Sequence, residues 1–225
     1  MKIVEREHCQ IFDAINNPFI AGFTKPSLQG DPVVDTAKAL SFTTPQPDVA
    51  YLKQVHSARI HFVHKPGLYE GDGLFTQEAR IALVVKTADC LPLLLYSRAL
   101  GVLGVVHMGW RGAREGILDG ITRAIGQPDL AGFTAVAGVG MRSCCYEVGE
   151  DFAQFARLRD FLSTRAKRLL FDPVAFARST LAKYGIKEEN FLDLGICSIC
   201  APQKYFSYRR DKASARTLSF IVKTQ

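Results

Sequence analysis

His56, Cys90 and His107 are the side chains of this sequence best suited to hold a transition metal. They stand in Gln54-Val55-His56, Thr87-Ala88-Asp89-Cys90 and His107-Met108-Gly109-Trp110-Arg111-Gly112, each near the end of a predicted strand. Two imidazoles and a thiolate suit zinc, which prefers nitrogen and sulfur in tetrahedral geometry. Three protein ligands would leave a fourth position for water or substrate, the pattern of a catalytic rather than a structural site. The separations, 34 and 17 residues, match no compact zinc motif. Only a fold that brings the three together can make them a site. Taken singly, a strand histidine often serves as a hydrogen-bonding residue, and a cysteine among apolar neighbours as a small hydrophobe.

Several neighbours could work with such a metal. Asp89 is either a proton carrier or a turn residue, since adjacent strand residues face opposite ways. Arg111, in a loop flanked by Gly109 and Gly112 that leads into a helix, could cradle phosphate. Trp110, the single tryptophan, could stack on a flat base or pack in the core. Tyr146 follows Cys144-Cys145, and Glu147 is either a first-turn helix residue or a proton carrier. Tyr208, Arg209 and Arg210 could contact a substrate or form an ion-pair cluster. Cys197-x-x-Cys200 resembles half a zinc ribbon or a redox pair, but no second such pair follows, so it is read as structural.

The elements that must position these residues are mostly strands. Ile81–Thr87, Leu91–Ser97 and Val102–Met108 are apolar and partly β-branched, as buried strands are. Phe133–Gly138, Phe191–Leu194, Tyr205–Tyr208 and Leu218–Val222 read as further strands. Helices are expected over Ala113–Ile125, over Val148–Phe161 and from Pro173 to Gly185. Pro26–Pro47 reads as loop with at most a short helix at Val34–Leu40. Strands outnumber helices without strict alternation, which predicts an α+β fold with mixed sheets in a single domain over residues 1–225.

Composition narrows the function classes. The net charge is +6, and part of it lies in Arg157, Arg159, Arg165, Lys167 and Arg168. No aromatic residues interleave with that cluster and no nucleic-acid motif is present. It is therefore read as a solvated helix face, and no nucleic-acid partner is expected. A positive field also favours a small anion such as phosphate. The N-terminus lacks an apolar signal region and no segment reads as a membrane span. The expectation is a cytoplasmic protein, monomeric or weakly dimeric, with six cysteines as thiols.

With Gln54–His56, Gly71–Leu74 (GDGL), Thr87–Leu95 (TADCLPLLL), His107–Gly112 (HMGWRG), Cys145–Gly149 (CYEVG) and Phe206–Asp211 (FSYRRD) in this order, the chain resembles the YfiH family. That family is also called the laccase-domain or polyphenol-oxidase family, and its members are often named purine nucleoside phosphorylase. The resemblance implies a four-layer α/β/β/α fold with metal ligands at His56, Cys90 and His107. It also implies phosphorolysis of purine nucleosides, including methylthioadenosine, and deamination of adenosine. Nucleoside and phosphate would then be the partners, with Asp89, Arg111 and Glu147 as catalytic candidates and Asp72, Trp110, Tyr146 and Arg209 as substrate-binding ones. An alternative reading from the same resemblance makes Cys90 and His107 an amide-hydrolysing pair, with or without zinc, that edits the peptidoglycan precursor UDP-N-acetylmuramoyl-L-serine. A non-enzymatic alternative closes the metal with a fourth ligand from Cys144, Cys145 or His61. The chain departs from the family pattern at Gly138-Val139-Gly140-Met141, at Ser214-Ala215-Arg216 and in a shortened Thr24–Thr44 segment. Copper could enter the His-Cys-His set, but five histidines cannot build the copper cluster of a true laccase.

Overall fold

The computed structural model describes residues 2–12, 18–28, 31–212 and 214–225. The path begins with strands β1 (Ile3–Glu5), β2 (Cys9–Phe12) and β3 (Phe19–Thr24), followed by helix α1 (Pro32–Ala39). Next come β4 (Asp48–Lys53), β5 (Ile60–Phe62), β6 (Gly67–Glu70), β7 (Gly73–Thr76), β8 (Ile81–Thr87), β9 (Leu91–Ser97) and β10 (Val102–Met108). Helices α2 (Trp110–Glu115) and α3 (Ile121–Ile125) precede β11 (Thr134–Ala137), β12 (Glu147–Val148), β13 (Leu162–Arg165) and β14 (Arg168–Phe171). The chain closes with α4 (Pro173–Lys183), β15 (Phe191–Asp193), α5 (Tyr208–Asp211) and β16 (Thr217–Lys223).

Two mixed sheets stack face to face. One has the order β1-β2-β3-β16-β8-β4-β6, the other β15-β11-β9-β10-β7-β5, and a small β12-β14-β13 sheet stands beside them. In the first sheet β4 runs parallel to β6 and β8 while β16 is antiparallel to β3 and β8. The central strands are apolar on both faces because both faces are covered. Leu83 and Val85 of β8 point between the sheets, whereas Ala82 and Val84 point out onto the cluster that contains Ala39 of α1. On β9, Leu94 and Tyr96 point between the sheets, while Leu91, Leu93 and Leu95 meet residues of α2, α3 and α4. The three apolar clusters therefore fill the three interfaces of an α/β/β/α stack, and the fold is α+β as expected.

The strands expected at residues 81–87, 91–97 and 102–108 form with those bounds. The helix expected over Ala113–Ile125 is broken: Gly116 ends α2 in the left-handed region at φ 85°, and the chain restarts as α3. The Val148–Phe161 helix is also corrected. That stretch holds a short strand and two 3₁₀ turns, Glu150–Gln154 and Arg159–Phe161. Its apolar residues Phe152, Phe155, Leu158 and Phe161 recur every third residue, the repeat of a 3₁₀ helix rather than the 3.6 of an α-helix. Arg157–Arg168 therefore does not form a helix face. Arg165 and Arg168 pair across the β13–β14 hairpin. Tyr205–Tyr208 is not a strand either, because Ser207 caps α5 by accepting from Arg210 N. Asp31 caps α1 with bonds from Val33 N and Val34 N, a contribution of about 1 kcal/mol.

Candidate metal centre

The three segments that carry His56, Cys90 and His107 meet at one end of the sandwich. Cys90 sits where the chain crosses from β8 in one sheet to β9 in the other. His107 closes β10, the antiparallel neighbour of β9, in register with Pro92. His56 follows β4 of the opposite sheet. The side-chain donor atoms of the three lie within 4.8 Å of one another. Cys90 Sγ is 4.0 Å from His56 Nε2, and the two imidazole rings are 4.9 Å apart, edge to face.

Asp72 organises this end of the molecule. It is fully buried, and its Oδ1 accepts from His107 Nδ1 at 2.8 Å and from His56 N at 3.0 Å. Its Oδ2 accepts from Ser57 N at 2.6 Å and from Ser57 Oγ at 2.8 Å. The carboxylate thus fixes the His107 tautomer, turning Nε2 toward Cys90, and wraps the 55–57 backbone into a turn in which His56 takes φ 61°. A carboxylate behind a ligating histidine is the usual support of a metal site. Gln54 closes the same loop by donating to Lys86 O and accepting from Lys86 N. Asp72 therefore lies beneath the site, out of reach of a substrate, contrary to its expected binding role.

Electrostatics couple the thiol to the imidazole. Burial pushes the Cys90 thiol up, but hydrogen bonds with His107 and His56 overcome it and hold the thiol at about 6. Burial pushes His107 down, yet Asp72 and Cys90 raise it to about 9. Asp72 itself stays below the usual carboxylate range, the bonds from His107 and Ser57 outweighing its burial. Backbone space is equally restricted. A Cβ on Gly109 would stand 3.0 Å from His56 Cδ2 and 3.2 Å from Cys90 Sγ. The donor set, its carboxylate support and this side-chain-free floor fit a zinc-type ion. No fourth His, Cys, Asp or Glu joins the trio among the described residues. His61 Nε2 instead lies 2.9 Å from Glu70 O, and Cys144 and Cys145 group elsewhere.

Around the trio stand the other predicted residues. Asp89, with φ 95°, uses Oδ1 to accept from Ser198 Oγ at 2.8 Å and Oδ2 to accept from Arg209 N at 2.7 Å. It braces the wall rather than standing free to carry protons. Tyr146 is buried against Phe171. Its phenol feels Cys90, Arg209, Asp89 and Arg111, and burial pushes it well above its ordinary value. Arg209 lies over the Tyr146 ring and donates to Glu147 O at 2.6 Å. The Glu147 carboxylate is exposed and pairs with Arg168. Arg111 is exposed, lies over the Trp110 ring at 4.9 Å, and makes no ion pair among the described residues. Trp110 stacks on Phe155 and tilts against Phe152, so its ring is already occupied by packing. A cavity of about 670 Å³ lies elsewhere, lined by residues that include Arg142, Asp172 and Arg178 and by none of the trio. Ser57 and Ser198 went unread in the sequence as parts of the site, and Gly109 was read as flanking a phosphate loop rather than as the floor under His56 and Cys90. They act through backbone shape and single hydrogen bonds, which leave no spacing signature.

A family model described as multi-copper polyphenol oxidoreductase laccase matches residues 33–224. A relative from Aquifex aeolicus named purine nucleoside phosphorylase is 37% identical over 153 residues, covering 68% of this chain and 71% of that one. One of the same name from Clostridium acetobutylicum is 34% identical over 187 residues, covering 78% and 77%. Among solved structures, YfiH of Bacillus licheniformis superposes with a TM-score of 0.85 at 24% identity, with 98% of each chain covered. YlmD of Geobacillus stearothermophilus gives 0.84 at 24% identity, covering 99% and 98%. These two likenesses speak for the fold. The extent of the family match and the identity to the relatives place this chain, with its His-Cys-His centre, in the family described as multi-copper polyphenol oxidoreductase laccase.

Proposed function

We propose that this protein is a zinc-dependent purine nucleoside phosphorylase that also accepts methylthioadenosine and deaminates adenosine. The observation that supports the reading most is the convergence of His56, Cys90 and His107 over a buried Asp72. The relatives' name supports the substrate class. Bound there, zinc supplies a Lewis acid that makes water nucleophilic near neutral pH.

The chain's own residues supply the rest. Arg111, held over Trp110 and with no acidic partner among the described residues, binds phosphate bidentately. Arg209, fixed by Asp89 and the Glu147 carbonyl, orients the nucleoside beside Tyr146. In phosphorolysis a phosphate oxygen bonds to the anomeric carbon as the bond to the purine nitrogen breaks. The base takes the electron pair and a proton. In deamination water adds at C6 and ammonia leaves. Glu147, the acid with an exposed carboxylate, is assigned the proton transfer, while Asp89 positions the wall. Copper suits the same donors, but zinc is the ion proposed.

A second reading rests on the Cys90–His107 pair, whose thiol at about 6 would serve a nucleophile attacking an amide of a peptidoglycan precursor. It leaves His56 without a task. The test is purified protein incubated with adenosine, inosine or methylthioadenosine, with and without phosphate, and analysed by chromatography. Free base and the sugar 1-phosphate, carrying the 5-methylthio group when methylthioadenosine is the substrate, should form only with phosphate, and inosine should form from adenosine without it. Absence of all three products would sink the nucleoside reading.

A further inference from the structure

Cys197-x-x-Cys200 does have a second pair, and it is the vicinal Cys144-Cys145. The four sulfurs lie within 4.8 Å of one another. Cys200 Sγ is 3.4 Å from Cys145 Sγ and 3.7 Å from Cys144 Sγ. Four thiolates about 2.3 Å from a tetrahedral zinc stand about 3.8 Å apart, whereas a disulfide needs about 2.05 Å. None of the four is in a disulfide. The backbone amides of Ile199, Cys200 and Arg142 all point to Cys197 Sγ. Amides two and three residues on that turn back to the first sulfur of C-x-x-C disperse thiolate charge and fix its direction.

A second observation concerns charge. Arg142 is 8% exposed, and its Nη1 has no hydrogen-bond partner among the described residues. Its other nitrogens hold Ile196 O, Gly138 O and Asp193. Cys197 and Cys144 are among the groups that favour its positive charge. Asp193 supplies Arg142 with one counter-charge, and thiolate character at Cys197 and Cys144, as in a tetrathiolate site, would add to it. We infer that Cys144, Cys145, Cys197 and Cys200 form a second, structural site for a zinc-type ion, separate from the His56–Cys90–His107 centre.

Its placement gives it a task. Cys197 bridges to Gly140, and Ser198 N donates to Gly140 O. Ser198 Oγ, inside the C-x-x-C turn, holds Asp89, and the carbonyls of Ser198 and Ile199 receive Arg210 Nη1. The site staples the segment before Tyr146 to the segment before α5, behind the wall that carries Arg209.

The test is metal analysis of protein purified without chelators, as wild type, His56→Ala, Cys144→Ser and Cys200→Ser. Cys144 and Cys200 are exposed, so their serine variants should fold. We expect two zinc ions per wild-type chain and one in each variant. The ion left in His56→Ala should have a sulfur-only shell at about 2.3 Å by X-ray absorption. One ion that survives His56→Ala and is lost in Cys200→Ser would support this site and overturn the His-Cys-His centre. One ion lost in His56→Ala and kept in Cys200→Ser would overturn this site. A disulfide between any two of the four cysteines in freshly isolated protein would also overturn it.

Discussion

Cys90 is where the two mechanistic readings divide. As a zinc ligand its thiolate is bound and blunted; as a nucleophile it is accessible and reactive. In zinc-loaded protein, alkylation of Cys90 should be slow, and after chelation it should be fast. The chelated protein gives a second readout. Its Cys90 thiol is held at about 6 rather than 9, so the alkylation rate should rise through pH 6 and be flat by pH 8, where an ordinary thiol would still be climbing. Stability against pH is a poorer probe. A depressed thiol adds stability as pH rises from about 6 to 9, whereas His107, raised from 6.5 to about 9, loses it over nearly the same window. The two contributions oppose each other. Cys90→Ser should lose metal and turnover together, since a neutral hydroxyl is a poor zinc ligand. Fast stoichiometric alkylation of the zinc-loaded protein would favour the nucleophile instead.

In the proposed centre the turn from β10 into α2 has to present His107 to the ion and then leave without covering it. Gly109 makes that possible, because any side chain there would press on His56 and Cys90. Gly109→Ala should weaken metal retention against a competing chelator by roughly tenfold or more, as disturbance of a ligand's support does. Gly120→Ala is the control, since its nearest new contact is an ordinary 3.7 Å from Ile60 Cδ1, and it should retain metal fully. Equal retention in the two variants would mean that the floor of the site gives way easily. The same element scale explains two misread helices. Apolar spacing located the buried residues of 148–161 and 113–125, but a period of three and one left-handed glycine decided what the backbone did between them.

Across the whole molecule the proposed ligands belong to different sheets. His56 follows a strand of the seven-stranded sheet, His107 lies on the six-stranded one, and Cys90 sits in the crossing between the two. An ion held there ties the layers together at one end. An ion present at ~100 times its dissociation constant adds about 2.7 kcal/mol, which for a chain of this size corresponds to roughly 5–10 °C in melting temperature. Chelation should lower the wild-type melting temperature by that order. In His56→Ala, where the clamp is already lost, chelation should lower it less, as followed by scanning calorimetry. Equal falls in both proteins would show that the centre does not cross-link the sheets. No helix among the described residues is long and apolar enough to cross a membrane.

Strand content and the central strands were legible in the sequence because burial on both faces writes continuous apolar runs, and the proposed ligands could be nominated because metal chemistry restricts side chains to a few kinds. The short strands β1 and β2 left no such run. The family resemblance offered Asp72 as a substrate contact, while Asp89 read as proton carrier or turn residue and Trp110 as base-stacking or core packing; neighbours in space decided among these, His107 and Ser57 for Asp72, Ser198 and Arg209 for Asp89, and Phe155 for Trp110. The partner of Cys197-x-x-Cys200 was likewise hidden, because Cys144-Cys145 has no spacing of its own and lies more than 50 residues away. Sequence determines which groups are available and how each segment alternates. Which carboxylate stands behind which imidazole, and which four sulfurs meet, depends on how loops at the ends of two stacked sheets pack against each other, and no local period encodes that.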